Sequence, residues 1–376
     1  MKKLIALLLT LAMVLALAAC ATSTKPTEKP TDAPKSGDET KAPDDSQASD
    51  AKVGDAGKIA VIRNMTASDH TTQFFAGITD EGHALGYEVD TYVSEGDDAK
   101  MQDLMDQCLS KDYKIWIVSH ANEGYQFDYV TKAVDKGIKV VCFDCQGEYV
   151  DGVTYVDQSD LVMAQECVEQ MMDKLKSVGG SEPYTMAEYI TLGMIIPFDL
   201  RGEKFQEYAD AGKIDLTIMA WDKNDTYSSA YTQATAIMTK TTNPVGFFAA
   251  ANSGTIVGGL IDAIKDCGRE ADCFVNGVDI SNEVIELLQK YPNFIGAACC
   301  DPYVVGVVCT RLALMKELGE ETPQIYHCVP TLVTGENLEN TDTMQNLGNK
   351  IKGFTTTDEF KTEGVEARRA QYANAQ

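Results

Sequence analysis

Between residue 58 and about residue 320, short β-branched runs alternate with helical repeats, and few folds can accommodate that alternation. Lys58–Arg63 reads as a strand, and a helical pattern through Phe74, Ile78 and Leu85 follows, closed by Gly86. Tyr87–Val93 is strand-like, and Asp98–Leu109 puts Met101, Leu104, Met105, Cys108 and Leu109 on one helical face. Ile115–Val118 is a continuous apolar run of the kind buried on both faces of a parallel sheet. A helix to Lys136 and a strand Ile138–Phe143 follow. The rhythm then repeats: helix Leu161–Leu175, strand Tyr189–Ile196, helix Arg201–Ala211, strand Leu216–Ala220 and helix Ser228–Thr239. Strand Val245–Ala250, helix Thr255–Ile264, and the runs Phe274–Val278, Val284–Leu288 and Phe294–Ala298 continue it. A helix through Val305, Val308, Leu312 and Met315 closes the series. Two such series imply an α/β protein with two doubly wound parallel-sheet lobes. Ligands of such sheets sit outside the carboxyl ends of the strands, so the residues just after each strand are the candidates for a site.

Ahead of this body lies a different kind of chain. Met1-Lys2-Lys3 is basic, Leu4–Leu17 is apolar over the length of a signal-peptide core, and Leu17-Ala18-Ala19-Cys20 matches the bacterial lipobox. The expectation is a signal peptide over 1–19, removed so that Cys20, lipidated on its sulfur, becomes the first residue. From Ala21 to Gly57 the chain is Thr, Ser, Pro, Lys, Asp and Ala with no aromatic residue, too little apolar surface to offset the entropy of ordering. Residues 20–57 therefore read as a disordered tether with a typical span of about 30–35 Å.

The chain carries 32 basic and 57 acidic residues, a net charge of −25. Residues 58–376 hold 25 of the basic and 49 of the acidic ones, so a balance of −24 belongs to the body. Such a surface repels a phosphate backbone and slows the capture of anions, which excludes nucleic acid as a partner and favours a neutral ligand. Phosphate-loop, dinucleotide, nucleophile-elbow and zinc-protease motifs are absent, and His70, His83, His120 and His327 have no metal-ligand spacing. No cofactor, metal or enzyme activity is implied. Cys142-Phe-Asp-Cys145 is a C-x-x-C, but the following residues lack the helical period a redox site uses. Cys299-Cys300 and Cys267/Cys273 are possible disulfide partners, while Cys108 and Cys167 fall on apolar faces.

The strand ends collect a polar set. Asn64 and Ser68-Asp69-His70 follow the first strand, Ser119-His120-Ala121-Asn122 the third, and Asp144 the fourth. In the second series stand Arg201, Trp221-Asp222, Asp225-Thr226-Tyr227, Asn252-Ser253, Asp279 and Asp301. Carboxylates, amides, a guanidinium and aromatics are what a site needs to pair many hydroxyls while covering an apolar ring face. Asp144, Arg201 and Asp279 also suit helix capping or surface ion pairs, and Trp221 suits a core as well as a ring stack.

Taken with Asp69–Gly77 (DHTTQFFAG), Ala84–Tyr87, Val141–Asp144 (VCFD), Arg201–Phe205 (RGEKF), Ala250–Asn252 and Asn276–Asp279 (NGVD), this order resembles the ribose- and galactose-type sugar-binding proteins of ABC importers. The resemblance covers residues 58 to about 335. It implies a type 1 periplasmic binding protein fold, with lobe one over 58–156 and about 302–331, lobe two over 157–301 and about 332–376, and three crossovers as the hinge. It further implies that Asp144 accepts from sugar hydroxyls, that Arg201 donates to them, and that Asn252 and Asp279 occupy the amide and carboxylate positions. The full candidate set is Ser68, Asp69, His70, His120, Asp144, Arg201, Tyr227, Asn252, Asp279 and Asp301. Where ribose-type members carry an Asn and two adjacent aromatics after strand one, this chain has Ser68, His70 and Thr71, with Phe74 and Phe75 read as core. Where they carry an Arg, Cys145 follows Asp144, and Cys300 stands near a family Gln. The resemblance implies a monomeric extracytoplasmic lipoprotein on the bacterial cell membrane that delivers a monosaccharide to an ABC permease. A ligand-presenting sensor for chemotaxis or quorum signalling is the alternative.

Overall fold

The computed structural model describes residues 51–374 apart from Lys223. The signal peptide, Cys20 and most of the tether lie outside them. In chain order the first lobe opens with β1 (Gly57–Arg63), α1 (Asp69–Ala84), β2 (Tyr87–Val93), α2 (Asp98–Leu109), β3 (Ile115–Ser119), α3 (Glu123–Asp135), β4 (Lys139–Phe143) and β5 (Thr154–Asp157). The second follows with α4 (Asp160–Ser177), β6 (Tyr184–Ile190), α5 (Ile196–Asp210), β7 (Ile214–Ala220), α6 (Thr226–Met238) and β8 (Val245–Ala249). It continues with α7 (Gly254–Asp266), β9 (Cys273–Val278), α8 (Asn282–Lys290) and β10 (Phe294–Cys299), before α9 (Pro302–Leu318), β11 (Ile325–His327), β12 (Thr331–Val333) and α10 (Glu363–Tyr372).

Two six-stranded sheets result, ordered β11-β5-β4-β3-β1-β2 and β12-β10-β9-β8-β6-β7, and every pair is parallel except β10–β12. Each sheet is covered on both faces, which is why its strands read as unbroken apolar runs. Period-two alternation divides them: Ile59 and Val61 of β1 join the core beneath α1 and α9, while Ala60 and Ile62 join the one beneath α2 and α3. In lobe two the two faces pack on α6–α8 and on α4–α5. The contact of α1 with α9 is close enough that a Cβ on Gly77 would overlap the Tyr303 carbonyl and one on Gly306 the Phe74 carbonyl.

The chain crosses between the lobes at 157–160, 299–302 and 327–331. These strands are tied together: Cys328 N–H donates to the Asp157 carbonyl (2.9 Å), Ser159 Oγ to the Cys328 carbonyl (2.5 Å) and Cys300 Sγ to the Gln158 carbonyl (3.4 Å). A fourth passage was not expected. Phe354 is buried in the lobe-two core, whereas Phe360, Val365 and Tyr372 pack on lobe one, so α10 belongs to lobe one and not to the 332–376 part of lobe two. Arg311 on α9 holds this passage by donating to the Thr357 and Glu359 carbonyls (2.9 and 2.8 Å).

Other expectations shift locally. The end of the expected tether is already packed on lobe one: Gly54 and Ala56 N–H groups bond the Gly86 carbonyl, and Ala56 is buried. The run read as a strand over Tyr189–Ile196 is β6 only to Ile190. Gly193 then turns with φ +76°, its N–H donating to Asp199, and Pro197 in the first turn opens α5. Val284–Leu288 is part of helix α8. Among the described residues no helix is long and apolar enough to cross a membrane.

Candidate functional site

The strands β3, β4 and β9 are each followed by a residue that is left-handed without being glycine: His120 (φ 59°), Asp144 (φ 48°) and Asp279 (φ 80°). That conformation costs a side-chain-bearing residue about 1–2 kcal/mol and persists only where the surroundings fix it. Here the sheet does so, because each N–H still bonds the neighbouring strand at 3.0 Å: His120 to Phe143, Asp144 to Val156 and Asp279 to Ala298 carbonyls. The backbone stays in register while the side chain turns out over the strand ends. All three face one cleft of about 640 Å³ between the lobes, lined also by Ser68, Asp69, His70, Arg201 and Asn252. Eight of the ten expected residues therefore meet there.

The lobe-one half is organised by a residue the sequence reading passed over. Arg63 ends β1 on the same face as Ile59 and Val61, almost wholly buried, with its guanidinium 5.0 Å over the Phe74 ring. Its Nε donates to Thr71 Oγ1 (3.2 Å), NH1 to Ser119 Oγ (2.7 Å) and NH2 to His70 Nδ1 (3.0 Å). His70 stacks on Phe143, and His120 meets that ring edge-on. Burial, reinforced by Arg63, lowers His70 to about 3 and holds His120 well below its ordinary value. Both rings are neutral at physiological pH. Asp144 accepts from Gln158 Nε2 (3.1 Å) and lies 3.7 Å from His120 Nε2; burial pushes its carboxyl up, with Asp160 adding to the rise. Asn64, one residue past Arg63, points to the opposite face and bonds Asp98 and Tyr125 instead.

The lobe-two half centres on Arg201. Its Nε and NH2 reach Asp160 at 2.7 Å each, NH1 donates to the Ala250 carbonyl, and Asp279 lies 3.8 Å from NH1. Two of its five N–H groups remain to face the cleft. Asn252 donates to the Asp279 carbonyl (3.0 Å), while its own Oδ1 is buried against Gly277 with no hydrogen-bond partner. Gly277 makes room, since a Cβ there would overlap Asn252 Oδ1. Phe198 and Trp221 pack at 5.6 Å and, with Met194 and Ile195, form an apolar wall. Trp221 thus packs on the lobe core and borders the cleft at once. At the rim Ser68 caps α1, and Asp69 accepts from the Asn282 N–H of lobe two (3.2 Å).

Tyr227 and Asp301 stand elsewhere. Tyr227 projects from α6, 40% exposed, and donates to Asp262 (2.8 Å). Asp301 caps α9, accepting from the Tyr303 and Thr355 N–H groups (3.0 and 2.7 Å), beside a separate groove of about 1210 Å³ along the hinge and residues 348–359. Arg63, Gln158, Phe198, Met194 and Glu283 are among the cleft residues missed. The signal for Arg63 was its place in the β1 alternation. For Phe198 it was Pro197, which marks a helix start. The ten described cysteines are free thiols, and Cys300 lies beside Cys328 across the hinge, with neither Cys299 nor the Cys267/Cys273 pair bonded.

Residues 59–321 match the family model described as a periplasmic binding protein domain. A sugar ABC transporter protein from Yersinia enterocolitica subsp. enterocolitica is similar in structure, with a TM-score of 0.71 and 25% identity over 86% of this chain and 96% of that one. The 5-methylthioribose transporter solute-binding protein of Thermotoga lettingae, solved with 5-methylthioribose, has a TM-score of 0.70 and 21% identity over 84% and 97%. A periplasmic solute-binding protein of Actinobacillus succinogenes, with bound D-allose, has a TM-score of 0.62 and 18% identity over 74% and 98%. No match is found among curated proteins. The chain belongs to the periplasmic binding protein domain family, with the type I fold and the non-enzymatic, solute-binding character of its sugar ABC transporter members.

Proposed function

We propose that this protein is an extracytoplasmic lipoprotein, anchored through Cys20, that captures a small neutral sugar-like ligand between its lobes and delivers it to an ABC permease. The observation that carries the ligand class is the cleft lining. His120, Asp144 and Asp279 are held left-handed to point inward, and Asn252 lines the cleft beside them. They stand opposite an apolar wall of Phe198 and Trp221. Carboxylates and amides pair hydroxyls, and an aromatic wall covers the C–H face of a ring. Arg63 and Arg201 stand among Asp144, Asp160 and Asp279, so the cleft carries no excess positive charge to hold an anion. The hinge permits one lobe to bind first and the other to close over the ligand, giving a permease two shapes to distinguish. The proteins of similar fold crystallised with 5-methylthioribose and D-allose support a sugar or sugar derivative.

The test is mass spectrometry of what co-purifies with the recombinant body, with a thermal-shift panel of pentoses, hexoses, polyols and nucleosides. A sugar that co-purifies and raises the Tm supports the reading, whereas failure of the whole panel with a co-purifying amino acid or peptide sinks it. A sensor presenting the same ligand to a membrane receptor is the second reading. Binding of the closed, liganded form to permease-containing vesicles separates the two.

A further inference from the structure

We infer that Arg63 is a positioning residue that fixes both cleft histidines as neutral Nε2–H tautomers, and so turns an N–H of His120, and not a lone pair, toward Asp144. A guanidinium has donors only, so the 3.0 Å contact of its NH2 with His70 Nδ1 requires that nitrogen to carry a lone pair. The ring's one proton must then sit on Nε2. Gln158, which lines the same cleft, donates its NH2 to Asp144 (3.1 Å), so its amide oxygen is the atom it has to offer that Nε2–H.

The second arm starts from the same guanidinium. Ser119 Oγ accepts from Arg63 NH1 at 2.7 Å and lies 2.7 Å from His120 Nδ1. Among the described residues Ser119 Oγ has no other acceptor in reach, so its hydroxyl proton goes to His120 Nδ1. His120 too must carry its proton on Nε2, the atom 3.7 Å from Asp144 Oδ2. Gln158 Nε2 donates to that same Asp144 oxygen at 3.1 Å, so an amide N–H and the more distant His120 Nε2–H both turn toward it. The other oxygen is left for the ligand.

The surrounding charges act in the same sense. His70 is faced by Arg63 and Arg201, and His120 by Arg63, His70 and Arg201, with Asp144 the nearby carboxylate; Asp279 lies across the cleft. The two rings should therefore keep one tautomer from pH 8 to pH 5, a range in which an ordinary histidine changes charge.

This inference uses the reading of the cleft as a ligand site only to give the pattern its purpose, and its test needs no ligand. In protein labelled with 15N-histidine, two-bond 15N–1H spectra should show two of the four rings as Nε2–H tautomers that do not titrate between pH 8 and pH 5. His70→Asn and His120→Asn identify them. In Arg63→Met both rings should lose the single tautomer and move their midpoints up by more than one pH unit, with Arg63→Lys partly restoring the wild-type pattern. An Nδ1–H tautomer, or a midpoint near 6.5 at either ring of the wild-type protein, overturns the inference even if the variants fail to fold. So does an Arg63→Met spectrum with both rings unmoved. Locked tautomers in a protein that binds none of the sugar panel would sink the sugar reading and leave this one standing.

Discussion

Arg201 is expected to hold the lobe together as well as to meet the ligand, and the two roles can be separated. Its side chain and that of Asp160 are both nearly inaccessible, and two guanidinium nitrogens reach the same carboxylate oxygen at 2.7 Å. Burial pushes Asp160 up and Arg201 pulls it back. Arg201→Met removes the opposing charge and leaves a buried carboxylate alone, which costs about 3–5 kcal/mol. With unfolding entropy near 2.1 cal/mol/K per residue, a body of roughly 320 residues has about 0.7 kcal/mol/K, so the melting temperature should fall by ~4–7 °C. Asp160→Asn in the same chain removes the stranded charge and should recover at least half of that loss, a coupling of about 2 kcal/mol in a double-mutant cycle. Differential scanning calorimetry of the four proteins measures it. A single variant melting within 1 °C of wild type, or strictly additive effects, would refute the reasoning. The double variant, close to wild type in stability, then reports on binding. It should lose most ligand-induced stabilisation if the two remaining N–H groups of Arg201 donate to the ligand.

Glu188 of β6 is buried with neither carboxyl oxygen partnered, and burial raises it from 4.5 to about 8. The folded state therefore keeps a proton that the unfolded chain releases, and stability should fall as pH rises between those values, by about 3.5 kcal/mol from pH 5 to pH 8. Glu188→Met should abolish that slope in urea titrations; an unchanged slope would exonerate the residue. Asp69→Ala removes the bond to the Asn282 N–H across the cleft mouth, worth about 1 kcal/mol, and should speed ligand release about five-fold in stopped flow without altering the apo Tm. An unchanged off-rate would show that this contact does not gate release. Trp221→Ala should weaken affinity for a ring-shaped ligand by about three- to ten-fold by calorimetry, with little effect on a linear polyol of equal size. Equal losses for both would argue against stacking.

The two lobes were legible because parallel strands covered on both faces show as apolar runs, as Ile115–Val118 does. What failed were elements whose identity is set by partners far along the chain. β5, β11 and β12 are only three or four residues long and exist because chain returning through the hinge adds β11 beside β5 in one sheet and β12 beside β10 in the other. α10 is polar over most of its surface and is placed by Val365 and Tyr372 reaching a core built from residues 56–328. At the site, carboxylates just past a strand could be listed, since strand ends are where ligands bind in such sheets. Facing could not be read from type alone. Asp301 and Asp144 are both acids after an apolar strand, yet one caps a helix and the other turns left-handed into the cleft. Arg63 was hidden by charge, because a basic residue at the end of a strand looks like its solvated terminus, whereas here it is roofed by Phe74 and satisfied by three side chains.

The return of α10 to lobe one bears on how the chain can assemble during synthesis. Lobe two has all its strands and core residues once Phe354 has been made. Lobe one, begun at Ala56, still lacks Val365 and Tyr372, and the Tyr372 ring lies against Gly86, nearly three hundred residues earlier. A core closed by contacts of such sequence separation forms late, since the loop entropy must be met before the contacts stabilise it. The domain made first is therefore completed last, and removing α10 by truncation after Thr362 should leave lobe two native-like while lobe one stays loose.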